Sequence, residues 1–451
     1  MEFSNKNLFR IKSIHSKMNI FIFGQSTLHW GRVEFGNIGN YYIVEPAVRM
    51  LHETFPDAKI KTTLQLSKRF CQDEAVEVVP MKWYYGFNEM DLPIAQKEYQ
   101  LALDYHNGKL LAETTPFMDA VMEADLVIDF SGDIWGDNAD FLGKNRFLVG
   151  LYKDRTAQLL GKKTVMMAGS PGPFSPGKNL DFAKEVFENF DLVTNRESFS
   201  RNILEAYGFN LSKLKDLSCP SFLFEAKEDL NLTDIHPLLN REKPDLVVGV
   251  ILCGWNFPTQ AFNTSQRSDS EYDFIVNPLL KFLDENQNMK LCLLSHSNGF
   301  NPGETPFRLI HGRDYENSRQ LEKILSDKGY GNRIFILKEV YDPWTTKAII
   351  GSFDMLISGR IHGAVAGLSQ RIPTVIIEYG NGPEAHKVKG FANEVEMLDY
   401  VANPNKPEDI YSKISTCMMN LEVIKEKLAR QIPLVEKKSR ENFTRLKDLF
   451  E

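Results

Sequence analysis

The chain has 451 residues, with 43% hydrophobic and 25% charged side chains and a formal net charge of −7. This length exceeds the roughly 250–300 residues that one hydrophobic core usually supports, so we expect two domains. A chain with net negative charge lacks the broad positive field on which non-specific nucleic-acid binding depends, so we expect no nucleic-acid partner. An anionic ligand would therefore need a local cluster of cations.

The cysteines and the apolar segments bear on cellular location. The five cysteines are scattered and form no CxxC pair, which is typical of reduced thiols in a cytoplasmic protein. The apolar run at 19–24 is too short for the core of a signal peptide. No stretch approaches the roughly 20 apolar residues of a membrane helix, so we expect at most peripheral contact with a membrane. No metal-ligand spacing is present, and we predict a site without a metal.

The first half of the chain alternates short apolar runs with helical patterns, which predicts a parallel sheet with crossover helices and thus an α/β architecture. Strands are predicted at 19–24, 58–64, 125–131, 163–168, 190–194 and 220–224. Helices are predicted near 40–55, 115–123, 143–160, 181–188 and 198–207. The aromatic and charged segment 82–117 is interpreted as an insertion of helices and loops.

The second half repeats this alternation and predicts a second, smaller doubly wound sheet. Its strands are predicted at 246–252, 290–295, 333–337, 354–358 and 373–377. Its helices are predicted at 271–286, 317–328, 344–350 and 361–369.

Domain boundaries follow from a charged, proline-containing segment between Ala226 and Pro244. We predict an N-terminal domain at 1–230 and a C-terminal domain at 244–405. The remaining 406–451 is predicted to be two helices, or one kinked helix, broken at Pro433, and to pack back across the two domains.

A glycine-containing segment opens the first predicted helix and includes Gly36, Asn37 and Asn40. Free backbone N–H groups at a helix start suit a sugar or a phosphate. An ordinary loop that ends in an Asn helix cap explains the same pattern equally well.

Ser131, Gly132 and Asp133 end the predicted strand 125–131 in a turn of small residues. Ligands of open parallel sheets bind beyond the carboxyl ends of the strands, which makes Asp133 a candidate base. The alternative is an aspartate that makes only a local hydrogen bond in the turn.

Two arginines follow strands in a similar way. Arg196 comes after 190–194 at the start of a helix, where it suits an anion, although it could instead pair with a neighbouring carboxylate at the surface. Arg360, Ile361 and His362 mark the point where a strand stops and a helix of small residues begins. A phosphate at that point would meet a guanidinium, an imidazole and free N–H groups, so we predict a phosphorylated ligand.

Further cationic residues lie near the ends of other predicted strands. His296 follows 290–295, and Lys387 lies a few residues beyond 373–377, next to His386. Each is a weak indication alone, because a solvated lysine is the usual outcome for such a position.

The order of these motifs resembles that of the polysaccharide pyruvyl transferase family over most of residues 19–400. The matching segments are 36–40, 125–133, 169–174, 195–198, 295–296 and 358–362. The chain departs from the family pattern at Asp133, where a second glycine is frequent, and at Ser295, where a proline precedes the histidine. The resemblance implies two Rossmann-like domains that face a cleft, as in the B-type glycosyltransferase fold, with phosphoenolpyruvate as co-substrate and no separate cofactor.

The resemblance also assigns sides to the cleft. On the donor side we place Arg196, Arg360, Ile361, His296 and Lys387. On the acceptor side, which would bind a free, lipid-linked or nucleotide-linked saccharide, we place Gly36, Asn37, Asn40, Ser131 and Gly132. His362 is the expected general acid or base, because ketal formation requires a proton at the enol carbon. Asp133 is expected to accept the proton of the sugar hydroxyl, a role that His296 or another acidic residue could also fill.

Two other functions fit the same residues. A glycosyltransferase or epimerase that uses a nucleotide sugar would also need an arginine and a helix N-terminus for its diphosphate. A non-catalytic sugar-binding homologue would keep the cleft without turnover.

Overall fold

The computed structural model describes residues 17–25, 34, 36–177, 179–239, 245–259, 261–264, 266–300, 309–380 and 386–451. Residue 244, the predicted start of the second domain, lies outside these ranges. The described chain forms two parallel sheets flanked by helices, which confirms the predicted α/β class. None of the helices in these ranges combines the length and the apolar run needed to cross a lipid bilayer.

The first sheet has seven parallel strands in the order β3-β2-β1-β4-β5-β6-β7. Its central strands are completely buried, as expected for a parallel sheet covered on both faces by helices. Its strands are β1 Asn19–Phe23, β2 Lys59–Thr62, β3 Val76–Val78, β4 Leu126–Asp129, β5 Lys163–Gly169, β6 Leu192–Asn195 and β7 Leu214–Asp216.

The second sheet has six parallel strands in the order β12-β9-β8-β13-β14-β15, and β10 and β11 form a separate antiparallel pair. Its strands are rich in Val, Ile and Leu, which suit a pleated surface buried on both sides. The strands of this half are β8 Leu246–Ile251, β9 Met289–Leu293, β10 Asn298–Phe300, β11 Leu309–His311, β12 Ile334–Ile336, β13 Met355–Ser358, β14 Thr374–Ile377 and β15 Val401–Ala402.

Helices connect the strands and cover both sheets. The helices of the first half are α1 Ile38–Thr54, α2 Lys68–Asp73, α3 Asp91–His106, α4 Pro116–Glu123, α5 Arg146–Leu159, α6 Leu180–Asn189, α7 Phe199–Ala206 and α8 Leu232–Ile235. Those that follow are α9 Asp273–Glu285, α10 Arg313–Leu325, α11 Pro343–Ile350, α12 Ile361–Ser369, α13 Lys387–Glu394, α14 Pro407–Met419 and α15 Leu421–Thr444.

Two predicted features are wrong. The segment predicted as a strand at 220–224 is a short 3₁₀ helix, Pro220–Leu223, because a proline at its start has no N–H to give to a neighbouring strand. The strand that completes the sheet, β7, comes just before it and was not predicted. The C-terminal helices separate at Asn420, and Pro433 lies inside α15, whose continuous buried face outweighs the hydrogen bond that the proline removes.

The strand order of each sheet reverses direction at one place, between β1 and β4 in the first sheet and between β8 and β13 in the second. Ligands of doubly wound sheets bind outside the strand ends at this switch point. The turns after these four strands carry Gln25, Asp133, Trp255 and Arg360, and all four residues line one cavity. The topology therefore brings both switch points to a single site.

The predicted insertion contains helix α3, which packs on α5 through a buried ion pair. Lys153 Nζ lies 2.5 Å from Glu98 Oε2 and donates to the Trp83 carbonyl oxygen at 2.6 Å. Thr115 Oγ1 donates to the other oxygen of Glu98 at 2.6 Å. Burial lowers the pKa of Lys153, and the nearby carboxylate of Glu98 opposes that effect. Both side chains are thus buried, and each has a further hydrogen-bond partner besides the other.

We predict that Glu98→Gln destabilises the protein by about 3–5 kcal/mol, because it leaves the Lys153 ammonium buried without a counter-charge. The measurement is the change in the urea unfolding midpoint. The matched control is Glu113→Gln, since Glu113 pairs with Lys97 at 2.8 Å in the same insertion but both side chains are exposed. That substitution should cost less than about 1 kcal/mol. Equal losses for the two variants would contradict the prediction.

Candidate active site

A cavity of about 280 Å³ lies where the carboxyl ends of the two sheets face each other. Side chains from both halves of the chain line it. Four of them carry a permanent positive charge, whereas Asp133 is the single carboxylate found among the described lining residues. The cationic residues are Arg146, Arg196, Arg360 and Lys387.

Arg196 is fixed in the cavity wall and not at the protein surface. Its side chain is only 3% exposed, its Nε donates to Ser170 Oγ at 2.8 Å, and its Nη2 donates to Asp133 Oδ1 at 3.2 Å. The guanidinium also lies over the ring of Phe391, 5.5 Å from its centroid. These contacts hold the planar group in one orientation, as rigid anion recognition requires.

Arg360 enters the cavity from the turn between β13 and α12. Its Nε and Nη2 donate to the two carboxylate oxygens of Asp314 at 2.9 and 2.7 Å, a bidentate pair. Asp314 is fully buried at the start of α10, and although burial opposes it, this carboxylate raises the pKa of Arg360. The pair orients the guanidinium and leaves its Nη1 free of this carboxylate. Asp314 was not predicted, because nothing near it in sequence suggests a functional role.

Lys387 and Asp133 form an ion pair between the two halves of the chain. Lys387 Nζ contacts Asp133 Oδ2, while Arg196 holds the other oxygen. Burial alone would raise the pKa of Asp133, but Lys387 and Arg196 together hold it well below its usual range. Asp133 is therefore ionised and weakly basic among these side chains, which suits an anchor for cations better than the general base that the sequence suggested.

His362 lies in the first turn of α12 and lines the same cavity. Burial, and then the charges of Arg196 and Lys387, lower the pKa of His362 well below its ordinary value. The imidazole is thus neutral beside these cations at neutral pH. Gly39 is required at the facing position, because a Cβ there would lie 2.6 Å from His362 Cβ. The glycine-containing segment therefore allows α1 and α12 to meet at their N-termini.

His296, predicted on the donor side, is not brought to the cavity wall. Its side chain is fully buried, and its ring lies 5.4 Å from that of Tyr42 in an edge-on arrangement. Burial and the charge of Arg360 lower its pKa to about 3, so it stays neutral. The histidine contributes to the packing beneath the site and does not contact the cavity.

The residues predicted on the acceptor side divide into two groups. Asn37, Asn40 and Ser131 line the cavity, as does Ile361 from the donor side. Gly36 and Gly132 do not line it. Gly132 has a φ of +65°, and a Cβ at this position would lie 3.4 Å from Arg196 Nη1. The alternative interpretation of Asn37 also holds, because its side chain accepts from Gly39 N at 3.1 Å and caps α1.

Helix α13, which carries Lys387, is fixed to the first half of the chain by further contacts. His386 Nε2 lies 3.0 Å from Ser200 Oγ and 3.6 Å from Glu197 Oε1. At the other end of the helix, Ser218 Oγ donates to Glu394 Oε2 at 3.1 Å. The position of the lysine therefore depends on contacts along the whole helix.

Two kinds of lining residue were missed by the sequence reasoning. Arg146 is almost fully buried at the start of α5, where it lies over the ring of Tyr85 at 5.8 Å, and no motif surrounds it. Trp255, Tyr379 and Phe141 form an aromatic rim to the cavity. Trp255 and Tyr379 follow β8 and β14, so the rule that ligands bind at strand ends could have found them.

The described residues offer no site for a metal ion. No group of three or more His, Cys, Asp or Glu side chains in these ranges is arranged to hold one.

Comparisons with solved structures define the class of fold. The chain is similar to HepE from Anabaena in complex with UDP and glucose, at 14% identity over 96% of this chain and 99% of that one, with a TM-score of 0.55. A glycosyltransferase from Rickettsia africae matches at 11% identity, over 97% and 100% of the two chains, with a TM-score of 0.56. A putative UDP-N-acetylglucosamine 2-epimerase from Listeria monocytogenes matches at 8% identity, over 96% and 97%, with a TM-score of 0.56. The protein thus has the B-type glycosyltransferase fold, as predicted.

Sequence comparison defines the family. The model of the polysaccharide pyruvyl transferases matches residues 37–381, which is most of the chain. The chain therefore belongs to the polysaccharide pyruvyl transferase family, and the resemblance noted from the motifs is confirmed. None of the curated proteins shows significant sequence similarity to it. Family membership identifies a transferase that modifies polysaccharides.

We predict that Asp133→Asn increases the affinity of the protein for inorganic phosphate several-fold. The carboxylate competes with any bound anion for Lys387 and Arg196, and the amide removes that competition while keeping the shape of the side chain. Isothermal titration calorimetry with phosphate measures the effect. Asp181→Asn, at an exposed position at the start of α6, is the control. Weaker phosphate binding by Asp133→Asn would show that Asp133 does not compete.

Proposed function

We propose that the protein transfers a pyruvyl group from phosphoenolpyruvate to two hydroxyls of a saccharide, which forms a ketal and releases phosphate. The observation that carries this proposal is the convergence of four cationic side chains from both halves of the chain on one cavity. Phosphoenolpyruvate carries a carboxylate and a phosphate within a few ångströms, and such a ligand needs several fixed cations close together.

The two arginines of the strand-end turns would share the donor. Arg196 and Arg360 are each held by hydrogen bonds to neighbouring side chains, so neither needs to be ordered when an anion binds. Lys387 would exchange its contact with Asp133 for one with the donor. Pre-positioned cations stabilise the negative charge that develops on the leaving phosphate, because their side chains need not move during the reaction.

The overall reaction balances with the groups present. The enol carbon of the donor gains a proton and becomes a methyl group, and C2 forms bonds to two saccharide oxygens while its bond to the phosphate oxygen breaks. Of the two hydroxyl protons lost by the saccharide, one is balanced by the methyl group and the other leaves with the phosphate. A residue that both gives and accepts a proton is therefore sufficient.

His362 would be that residue. Its pKa is low beside the cations, but the negative charge of a bound donor would offset them and raise it, since an opposite charge favours the protonated form. The imidazole would then become an acid when the donor is in place. This coupling links protonation of the enol carbon to correct occupation of the site.

The first test is an incubation of the protein with phosphoenolpyruvate and a panel of saccharides. We expect release of inorganic phosphate together with a saccharide product whose mass has grown by one pyruvate ketal. Release of a nucleotide from a nucleotide sugar, with none from phosphoenolpyruvate, would instead show a glycosyltransferase. Binding without any product would show a non-catalytic homologue.

Replacement of Arg360 by alanine should abolish measurable binding of phosphoenolpyruvate and lower kcat/KM by at least about 100-fold, because a charge-assisted contact to the donor is lost. Calorimetry and phosphate release measure the two effects. Arg319→Ala is the matched control, since Arg319 is exposed on α10 and pairs only locally with Glu316. Normal donor binding by the Arg360→Ala protein would refute the assignment.

Replacement of His362 by glutamine should lower kcat by about 10²–10⁴-fold, while the affinity for phosphoenolpyruvate changes much less. In the unmodified protein, activity should fall as pH rises through the pKa of this acid. Because the bound donor raises that pKa, the fall in kcat should occur at higher pH than the fall in kcat/KM, which reports the free enzyme. Coincident pH profiles would argue against His362 as the acid.

A further inference from the structure

Aromatic rings form one side of the cavity mouth. The rings of Trp255 and Phe262 stack face to face, with centroids 3.8 Å apart and an angle of 7° between their planes. Tyr379 lies beside them, 5.4 Å from Trp255 and tilted by 21°. Trp255 and Tyr379 line the cavity, and Phe262 supports Trp255. The three rings therefore form a stack with nearly parallel planes, and Trp255 and Tyr379 are the members of this stack that line the cavity.

The opposite half of the chain adds apolar side chains to the same mouth. Phe141 lies 6.4 Å from Trp255 and 6.3 Å from Phe262, and it is 62% exposed. Its neighbour Leu142, which also lines the cavity, is 48% exposed. Large apolar side chains that stay exposed beside a cleft mark a binding surface more often than a structural one. The aromatic rim thus extends across both halves.

The rim adjoins the cationic residues directly. Lys387 Nζ lies 5.7 Å from the centroid of Tyr379, so the ring surface begins where the charged surface ends. Asn40 and Asn138 line the same cavity and offer amide groups to a polar ligand. The cavity therefore offers a cationic region and, next to it, an aromatic region with amide groups nearby.

We infer that the aromatic rim of Trp255, Tyr379 and Phe141, with Phe262 stacked on Trp255, binds a pyranose ring of the saccharide acceptor. One face of a pyranose ring presents C–H bonds that pack on an aromatic face, while its hydroxyls project from the edge. This placement rests on the proposed function, because it sets the edge hydroxyls beside the donor held by the cations. It also adds the turn after β8 to the acceptor surface that the sequence places on the glycine-containing segment of α1.

The test compares Trp255→Ala and Trp255→Phe with the unmodified protein. For Trp255→Ala we expect the KM of the saccharide to rise about tenfold or more, the affinity for phosphoenolpyruvate to stay within about twofold, and kcat at saturating saccharide to change little. Trp255→Phe keeps an aromatic face and should recover most of the loss. Phe141→Ala, at a position that is 62% exposed, should raise the same KM.

The control is Tyr105→Ala, which removes an exposed aromatic ring, as Phe141→Ala does, but from α3 and away from the cavity. It should change neither the saccharide KM, nor kcat, nor the affinity for phosphoenolpyruvate. A direct binding measurement accompanies the kinetics: saturation-transfer NMR with methyl β-D-glucopyranoside and methyl β-D-galactopyranoside should detect contact with the unmodified protein and lose it in Trp255→Ala. Failure of the unmodified protein to bind phosphoenolpyruvate by calorimetry would refute the proposed function and not the rim.

Three outcomes would overturn the inference about the rim. The first is donor binding and turnover with an unchanged saccharide KM in both Trp255→Ala and Phe141→Ala. The second is the absence of any contact between the unmodified protein and the two methyl glycosides. The third is tight binding of UDP that is lost in Trp255→Ala, which would assign the rings to a nucleotide base.

Discussion

Four permanent positive charges in one cavity repel each other, and two carboxylates offset three of these charges. Asp314 neutralises Arg360 from below through a bidentate pair, and Asp133 lies between Arg196 and Lys387. Removing water from such charges is costly unless each has a partner. The two acids therefore help to hold Arg196, Arg360 and Lys387 in place before any ligand binds. Asp314 is buried and keeps its contact with Arg360, whereas Asp133 is partly exposed and a bound anion can displace it from its cations.

The same topological feature, a single reversal of strand order, positions these groups in both sheets. Each sheet reverses its strand order once, and the two reversal points face each other across the cavity. Gly39 then lets the N-terminus of α1 approach that of α12, so that the histidine and the two helix starts share the same space. Neither half alone contains a complete set of cations, because Arg196 and Arg146 come from the first half and Arg360 and Lys387 from the second.

The sequence predicted much of this arrangement because strand ends carry strong local signals. The paired sheets, the turns at Asp133 and Arg196, and the Arg360-to-His362 turn all follow from apolar runs that stop at small or polar residues. Arg146 could not be predicted, because a single arginine at a helix start looks like any surface residue until the tertiary packing buries it. Asp314 belongs to the same class, since only its contact with Arg360 gives it a role. The helix break predicted at Pro433 is absent from α15, because the packing of a long buried face contributes more to stability than the low helix propensity of one proline costs.

The contacts between α13 and the first half of the chain couple the position of Lys387 to any motion between the two halves. The helix that supplies Lys387 also touches Glu197 and Ser200 through His386, and Ser218 through Glu394. A hinge motion that separated the two sheets would therefore withdraw the lysine and loosen these contacts in the same step. The arrangement of the cations is thus coupled to the angle between the two halves. An anion that binds all the cations should therefore also restrict the motion of one half relative to the other.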